Sequence, residues 1–272
     1  MKNRKHKAKV FRPTAFSFPY LAVTVVFVIV PLILVLVYAF RGDDGSFTFG
    51  NFAKVFTQKE NLIQLGRTLE IAALSTALCL LLAYPVAYIL ASKPFNKMAI
   101  LALLFIIPMW INFMLRIFAL QSVLTAIGIP KSFWAATIGM VYDFFPYMLL
   151  PIYTVMSKLD KSYIEASTDL GADSVQTFFK VTLPLSLPGV ISGVSMVFMP
   201  IFSSYAITKM MGDAKTTVIG AKIASLFENQ SYGNYGYGAA LSFVLLVIVL
   251  LVMLLSNFLT NRTQKAPKGG VA

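Results

Sequence analysis

Long apolar stretches recur along the 272 residues, and most polar positions fall between them rather than within them. Each stretch has about 20 residues, which in a helix is enough to cross the hydrocarbon core of a bilayer. The pattern therefore predicts an all-α integral membrane protein with six transmembrane helices. The predicted spans are Tyr20–Phe40, Ile71–Ala91, Met98–Leu124, Phe133–Met156, Gly189–Thr208 and Ala239–Leu259.

Six spans return the chain to the side on which it starts. The sequence divides into a basic N-terminal tail at 1–19, a six-span membrane domain at 20–259 and a basic C-terminal tail at 260–272. The uncharged run at 13–40 is too long for the apolar part of a signal peptide, and no small-residue cleavage site follows it. We therefore interpret this run as the first span.

The distribution of the 23 Lys and Arg residues indicates an orientation. Fourteen fall in the tails and in the segments on the same side, eight fall on the opposite side, and Arg116 lies within a span. Because cytoplasmic segments carry an excess of basic residues, both tails are predicted to lie in the cytoplasm.

Two long segments lie on the predicted outer side, at Arg41–Thr68 and Lys209–Gly238. The first contains the turn signal Gly-Asp-Asp-Gly at 42–45 and four phenylalanines. The second ends in a stretch rich in tyrosine and glycine, which suggests an interfacial loop. Both patterns fit anchoring at the membrane interface, and both also fit contact with an external partner.

Composition narrows the class of protein further. The chain is 58% hydrophobic and only 12% charged, whereas a soluble domain has about a quarter charged residues. The net charge of +12 lies in tails and loops, so we expect no nucleic-acid partner. One histidine, His6, and one cysteine, Cys79, are too few for a His/Cys metal site or a His-based catalytic triad.

The segment 157–188, between the fourth and fifth spans, carries the most local information. Ser162-x-x-Glu165 has the spacing of a capping box, in which each side chain bonds a backbone N–H at a helix start. The short helix is predicted to run to Leu170, where Gly171 accepts the left-handed turn that ends it.

A second helix is predicted to follow at once from the N-terminal signal Asp173-x-x-Gln176. Helical spacing predicts its apolar face, and two prolines are predicted to end it before the fifth span. The face comprises Val175, Phe178, Phe179 and Thr182, and the prolines are Pro184 and Pro188. The segment is thus predicted to be a helix–turn–helix on the cytoplasmic side, suited to receiving force from a partner.

This segment resembles the EAA loop of ATP-binding-cassette (ABC) importer permeases. The pattern is Glu165-Ala-Ser, three residues, Gly171, nine residues, then Val-Thr-Leu-Pro184, and its spacing matches throughout. Ser167 stands where the family pattern has alanine, and Val181 where it has isoleucine. The resemblance implies the type I importer permease fold, with a cytoplasmic coupling helix in the EAA loop.

The same resemblance implies which residues couple to the ATPase. They are Glu165, Ala166, Ser167, Asp169, Leu170 and Gly171. Glu165 would meet basic groups of the ATPase, although capping its own helix is a simpler role and is compatible with the first. For Gly171, making the turn is the favoured role.

Partners and localisation follow from the resemblance too. It implies an ATPase subunit dimer that binds ATP and Mg²⁺, a second homologous permease subunit, and an extracellular or periplasmic substrate-binding protein. The chain would lie in the lipid of a bacterial plasma (inner) membrane as a multi-pass protein. It contains no Gly-x-x-x-x-Gly-Lys-Ser/Thr phosphate loop, so we expect no cofactor and no enzymatic activity in this chain.

Further motifs resemble the spermidine/putrescine (PotB-like) permease family. They are Pro108-Met-Trp with Leu115-Arg-x-Phe-Ala in the third span, the stretch Met211–Gly220, and Tyr237-Gly-Ala-Ala-Leu-Ser. This likeness implies polyamine import. Importers of ferric ion, sulfate, molybdate or thiamine share parts of the pattern and remain alternatives. An ATP-independent secondary transporter is a less favoured alternative, since it predicts several buried carboxylates and only Asp143 is a clear acid within a span. An intramembrane enzyme would need catalytic groups that the spans lack.

Asp143 is the clearest acidic residue midway along a predicted span. An intramembrane carboxylate is costly and is a functional candidate by default, and ammonium groups also bind aromatic faces. The predicted translocation-path residues are Asp143, Tyr142, Tyr147 and Trp110. Alternatively, Asp143 forms an ion pair with Arg116 that serves the architecture alone.

Gly189-x-x-x-Gly193 in the fifth span is a small-residue pattern for close helix packing. It predicts a contact either with a second permease subunit or with a neighbouring helix of this chain.

Overall fold

The computed structural model describes residues 17–42, 44–92, 104–228 and 235–264. Within these residues the regular structure is helical, apart from an isolated β-bridge between Arg41 and Phe47. We number the α-helices in chain order. They are α1 (Pro19–Ala39), α2 (Gly50–Thr57), α3 (Lys59–Ala91), α4 (Phe113–Ala126), α5 (Phe133–Met156), α6 (Ser162–Asp169), α7 (Ser174–Ser203), α8 (Ala206–Met211), α9 (Ile219–Glu228) and α10 (Tyr235–Gln264).

Five of these helices are long and apolar enough to cross a bilayer, namely α1, α3, α5, α7 and α10. They correspond to five of the six predicted spans and confirm the all-α membrane fold. Two of these helices begin well before their apolar runs. Helix α3 starts at Lys59, whereas the predicted span starts at Ile71, and α7 starts at Ser174, whereas the predicted span starts at Gly189. A helix does not have to end where its apolar stretch ends, since polar residues outside the hydrocarbon continue the same hydrogen-bonding pattern.

The third predicted span, Met98–Leu124, is not one continuous helix. Its first part, 98–103, lies outside the described residues, and the rest contains a 3₁₀ turn at Ile107–Trp110, followed by α4. Asn112 starts α4 by accepting a hydrogen bond from the Met114 N–H at 2.9 Å. A proline in the 3₁₀ turn and an asparagine cap thus give this break a local cause in the sequence.

The core of the bundle lies where α3, α5 and α7 pack against one another. Ile71 on α3, Leu149 on α5 and Val197 on α7 are among its completely or almost completely buried side chains. Cys79 is buried in the same core, with its Sγ 3.6 Å from the Val141 carbonyl oxygen.

Gly189 and Gly193 allow α7 to pack closely against α5 of the same chain. A Cβ added at Gly189 would lie 3.0 Å from the Pro151 carbonyl oxygen, and one at Gly193 would lie 2.8 Å from Met148 Sδ. Spaces this small accept a glycine hydrogen but no methyl group without displacement. Of the two contacts that the sequence left open, the structure therefore shows the one with a neighbouring helix.

The first helix stands at the edge of the bundle. Val35 and Ala39 near the end of α1 join a small apolar cluster with Tyr237 and Leu241 of α10. Large side chains along the rest of α1 are exposed in the chain by itself, and Phe27 reaches 73%. This surface is therefore available to lipid or to another chain.

The end of the bundle away from α6, which we call the far end, is built from α2, α8 and α9. The turn signal at 42–45 forms a turn, in which the Gly45 N–H donates to the Gly42 carbonyl at 2.9 Å. The predicted interfacial loop is wrong in part, because Tyr235–Gly238 belong to the first turn of α10 and Tyr237 is only 8% exposed. The preceding residues of that stretch, 231–234, lie outside the described ranges.

A polar network centred on Asn61 joins three helices at the far end. Asn61 Oδ1 accepts hydrogen bonds from Lys222 Nζ at 2.8 Å and from the Tyr237 hydroxyl at 2.9 Å. Its amide group donates to the Val55 carbonyl at 2.9 Å. The buried polar atoms of Asn61 are thus satisfied by partners on α2, α9 and α10, which fixes these helices on the start of α3.

Most of both basic tails lies outside the described residues, at 1–16 and 265–272, as do Lys93 and Lys97. These residues supply much of the charge bias from which the orientation was predicted.

Candidate functional site

The segment between α5 and α7 forms the predicted helix–glycine turn–helix. Gly171 has φ of 84°, in the left-handed region that favours glycine. Its N–H donates to the Thr168 carbonyl at 2.9 Å, and the Ala172 N–H donates to the Ser167 carbonyl at 3.0 Å. These two bonds make a Schellman motif, which satisfies carbonyls at the end of α6. The predicted role of Gly171 is confirmed, and we call α6, this turn and the first turn of α7 the elbow.

The predicted capping box at the start of α6 is wrong. Lys161 occupies the cap position without a side-chain cap bond, and Asp160 Oδ1 accepts from the Ser162 N–H at 3.0 Å. Hydrogen bonds from the Ser162 backbone and hydroxyl lower the pKa of Asp160. The sequence could have predicted this bond, because an aspartate side chain readily accepts a hydrogen bond from the backbone N–H two residues ahead.

The second arm begins as predicted but does not end as predicted. Asp173 Oδ1 accepts from the Gln176 N–H at 2.7 Å. The helix then continues through Pro184 and Pro188 as α7, with a π-helical turn at Phe178–Thr182 before the prolines. The wider turn lies just before Pro184 and takes up its missing N–H and the bulk of its ring. Pro188 lies inside the α-helix that follows, and the helix does not end there.

The predicted apolar face of this arm is confirmed only for Phe178 and Thr182, which lie inward, Thr182 at 4% exposure. Phe178 packs edge-on against Tyr84 and Tyr88 of α3, at centroid distances of 5.8 and 5.7 Å. Val175 and Phe179 are 64% and 60% exposed. Helical spacing identified the apolar residues but not the side on which α3 lies, because that contact is distant in sequence.

A hydroxyl pair joins the two arms of the elbow. Ser167 Oγ on α6 lies 2.9 Å from Thr177 Oγ1 on α7, and Thr177 is buried. Ser167 is the residue that departs from the alanine of the family pattern. Sequence reasoning missed Thr177, since a threonine ten residues away carries no signal for this pairing.

The residues predicted to couple to an ATPase share the exposed side of the elbow. Leu170 is 88% exposed. Glu165, Ala166, Asp169 and Gly171 are exposed as well, and Ser167 is partly buried by its bond to Thr177. Asp169 and the large apolar side chain of Leu170 therefore lie next to the turn at the tip of the elbow, whereas Glu165 lies in the first turn of α6, in the wall of a pocket with Tyr88 and Met156.

The predicted path residues are brought together only in part. Arg116 Nη2 forms an ion pair with Asp143 Oδ1, and the two side chains are 9% and 7% exposed. Arg116 Nη1 donates to the Pro108 carbonyl at 3.0 Å, and the guanidinium lies over the Tyr142 ring at 5.8 Å. The pairing proposed as an alternative from the sequence is therefore present.

Tyr147 and Trp110 do not join this group. The Tyr147 ring contacts Phe144 at 5.9 Å, and Trp110 is 89% exposed at the end of the 3₁₀ turn. A cavity of about 540 Å³ lies between α3, α5 and the start of the third span, and its wall includes Arg116 and Tyr142. The rest of the wall is mostly apolar, with Leu78, Phe105, Trp134 and Ile138 among its residues.

Comparison with known proteins places this architecture in a family. Residues 81–265 match the family described as "Binding-protein-dependent transport system inner membrane component". The chain is 33% identical over 253 residues to the spermidine/putrescine transport system permease protein PotB of Escherichia coli (strain K12), covering 85% of this chain and 91% of that protein. It is 31% identical to PotB of Haemophilus influenzae, covering 87% and 91%.

A solved structure shares the fold at low sequence identity. It is the crystal structure of a bacterial alginate ABC transporter in complex with an alginate pentasaccharide-bound periplasmic protein. One of its chains superposes on this chain with a TM-score of 0.71 at 15% identity, covering 92% of this chain and 93% of that one. The matched residues run from α3 to α10 and include the elbow, so the chain belongs to the family of binding-protein-dependent transport system inner membrane components.

Proposed function

We propose that this chain is the permease subunit of an ABC importer for polyamines such as spermidine and putrescine. The observation that carries the proposal is the 33% identity to spermidine/putrescine permeases over 85% of the chain. The chain pairs with a second homologous permease, and the two enclose the translocation path. Substrate arrives on an external binding protein, and an ATPase dimer drives the cycle.

The elbow supports the coupling step. Its tip presents Leu170 and the carboxylate of Asp169 next to a turn held by a full Schellman motif, and Glu165 is exposed in the first turn of α6. Such a surface suits a basic, partly apolar groove on the ATPase. The second arm is one helix with α7, so movement of the tip is carried into the membrane bundle. ATP and Mg²⁺ bind the partner, and this chain itself performs no bond chemistry.

The proposal also sets the orientation. The elbow and both termini face the cytoplasm, and α2, α8 and α9 face outward in the plasma (inner) membrane. In this orientation the far-end network around Asn61 lies on the side from which the binding protein delivers substrate. The path runs past Asp143 and Tyr142, which both contact Arg116, whereas Tyr147 and Trp110 lie apart from this group.

Transport by the reconstituted complex tests this function. The chain is co-expressed with its second permease and ATPase, purified, and placed in liposomes with the substrate-loaded binding protein outside and ATP inside. We expect accumulation of labelled spermidine or putrescine that requires ATP. Accumulation of ferric ion, sulfate, molybdate or thiamine instead would overturn the polyamine assignment, and uptake by the chain without an ATPase would overturn the ABC mechanism.

A further inference from the structure

Arg116 separates the large membrane cavity from the Asp143 carboxylate. The cavity wall includes Arg116 and Tyr142 but not Asp143. The guanidinium contacts Asp143, while Arg116 is also part of the cavity wall, and Asp143 is only 5% exposed. A solute in the cavity therefore meets Arg116 first and reaches the carboxylate only if the guanidinium moves aside.

Arg116 is incompletely bonded in this position. Its Nη groups bond the Pro108 carbonyl and Asp143, but its buried Nε has no hydrogen-bond partner within the described structure. A buried donor without a partner costs free energy. The one carbonyl it uses belongs to the 3₁₀ turn at Ile107–Trp110, in the interrupted part of the third span. Interrupted spans are typical of substrate sites in transporters.

The cavity otherwise has the chemistry of a polyamine site. A polyamine alternates ammonium groups with short methylene chains. Leu78 and Ile138 offer apolar contact for the methylenes, and the rings of Tyr142 and Trp134 offer faces for the cations. Its volume of about 540 Å³ is in the usual range for small-molecule sites. The missing component is a negative charge, and Asp143 holds one directly behind Arg116.

We propose that the Arg116 guanidinium binds the Asp143 carboxylate where a substrate ammonium group would bind, and that it is displaced when a polyamine enters the cavity. This inference rests on the proposed polyamine function. The displaced guanidinium keeps two neighbours, the Pro108 carbonyl and the Tyr142 ring, at 3.0 and 5.8 Å. Without substrate the guanidinium neutralises Asp143, so an empty path does not hold a bare carboxylate within the membrane. With substrate an ammonium group neutralises Asp143, and the guanidinium charge is stabilised by the Pro108 carbonyl and the Tyr142 ring.

Binding of labelled spermidine to the assembled importer tests the exchange. The complex is placed in lipid nanodiscs without binding protein or nucleotide, and equilibrium binding is measured. Arg116→Gln removes the competing cation and leaves Asp143 in place, so we expect about tenfold tighter binding or more. The double variant Arg116→Gln/Asp143→Asn is neutral and similar in shape, and we expect it to assemble and to bind no spermidine.

Glu70→Gln serves as the matched control. It breaks an ion pair with Arg67, 2.9 Å long, at the surface of α3, and binding should remain that of the unmodified complex. If Arg116→Gln does not assemble, Arg116→Met replaces it, since methionine also removes the competing cation and its flexible apolar side chain suits the mostly apolar wall. Either single variant binding no tighter than the unmodified complex, or the double variant binding normally, contradicts the exchange.

Failure of this inference and failure of the proposed function give different results. If the unmodified importer accumulates spermidine but the double variant binds it equally well, the pair is architectural and only the exchange is wrong. If the unmodified importer neither binds nor accumulates spermidine and accumulates another solute, the polyamine function is wrong.

Discussion

At Gly171 a single residue determines the geometry of the elbow. Its φ of 84° is unfavourable for other residues, yet a Cβ there would meet nothing within 4 Å. A substitution at Gly171 therefore changes the backbone conformation and the surface of the tip and causes no steric clash. Gly128, in the turn between α4 and α5, has φ of 86° and equally open surroundings. The two glycines form a natural pair for experiment.

We predict that Gly171→Asp abolishes uptake while the protein still inserts and assembles. The left-handed conformation costs an ordinary residue about 1–2 kcal/mol, with aspartate among the better tolerated, so folding should survive. The added carboxylate alters the surface offered to the ATPase. The measurement is ATP-dependent uptake in liposomes, with Gly128→Asp as the control that carries the same backbone strain. Equal loss in both variants would mean that strain alone, and not coupling, explains the defect.

Roles that depend on near neighbours were mostly predictable from the sequence, with the capping box at Ser162 and Glu165 as the exception, and roles that depend on distant residues were not. Gly171 and Asp173 act on backbone groups within a few positions, and the structure confirms both. Tyr237 was assigned to an interfacial loop, but it bonds Asn61, which lies far away along the chain. The Ser167–Thr177 bond needs the fold of the elbow before it can be recognised.

Among the elements, the apolar runs predicted which helices exist but not where they end. Phe133–Met156 matches its predicted bounds because caps and charges lie at both ends of the apolar run. The apolar run predicted only the membrane part of α7, since the helix begins earlier and continues through Pro184, which follows a π-turn, and through Pro188. In the third span, by contrast, a proline and a cap residue interrupt a run with no charged residue before Arg116.

The packing of α7 on α5 gives a prediction at this scale. Gly189→Ala adds a methyl group within 3.0 Å of the Pro151 carbonyl oxygen and 3.1 Å of the Ile152 Cα. Backbone atoms cannot rotate away, so we expect a loss of about 1–3 kcal/mol of stability. The measurement is the temperature at which the purified protein in detergent loses its monodisperse elution peak.

Gly66→Ala is the control for this substitution. Gly66 lies on α3 with nothing within 4 Å of its Cβ position, and alanine favours a helix by about 1 kcal/mol over glycine. The elution peak should survive to the same or a slightly higher temperature. A Gly189→Ala protein as stable as Gly66→Ala would show that the helices separate there without cost.

For the molecule as a whole, exposed apolar surface lies at both ends of the bundle. Phe179, on α7 just after the elbow, and Phe56, on α2, are each 60% exposed and lie at opposite ends of the bundle. We predict that Phe179→Glu weakens retention of the ATPase by about tenfold or more, since a charge replaces a large apolar contact. Phe56→Glu should leave retention unchanged.

Retention is measured by the ATPase recovered with the tagged permease after washing at increasing salt. If Phe56→Glu releases the ATPase and Phe179→Glu does not, the orientation assigned to the chain is reversed. If neither variant releases the ATPase, the ATPase contact does not include Phe179.

The 30-residue length of α7 and the position of its glycines together have a mechanical consequence. Gly189 packs closely against α5 and lies near the middle of this helix, with about 20 Å of helix on either side. A rigid rod held at such a fulcrum swings its two tips in opposite directions by similar amounts. Movement of the Ser174 end of α7 toward the bundle axis would therefore tilt the Ser203 end away from it. The same movement would narrow the bundle at one membrane face and widen it at the other.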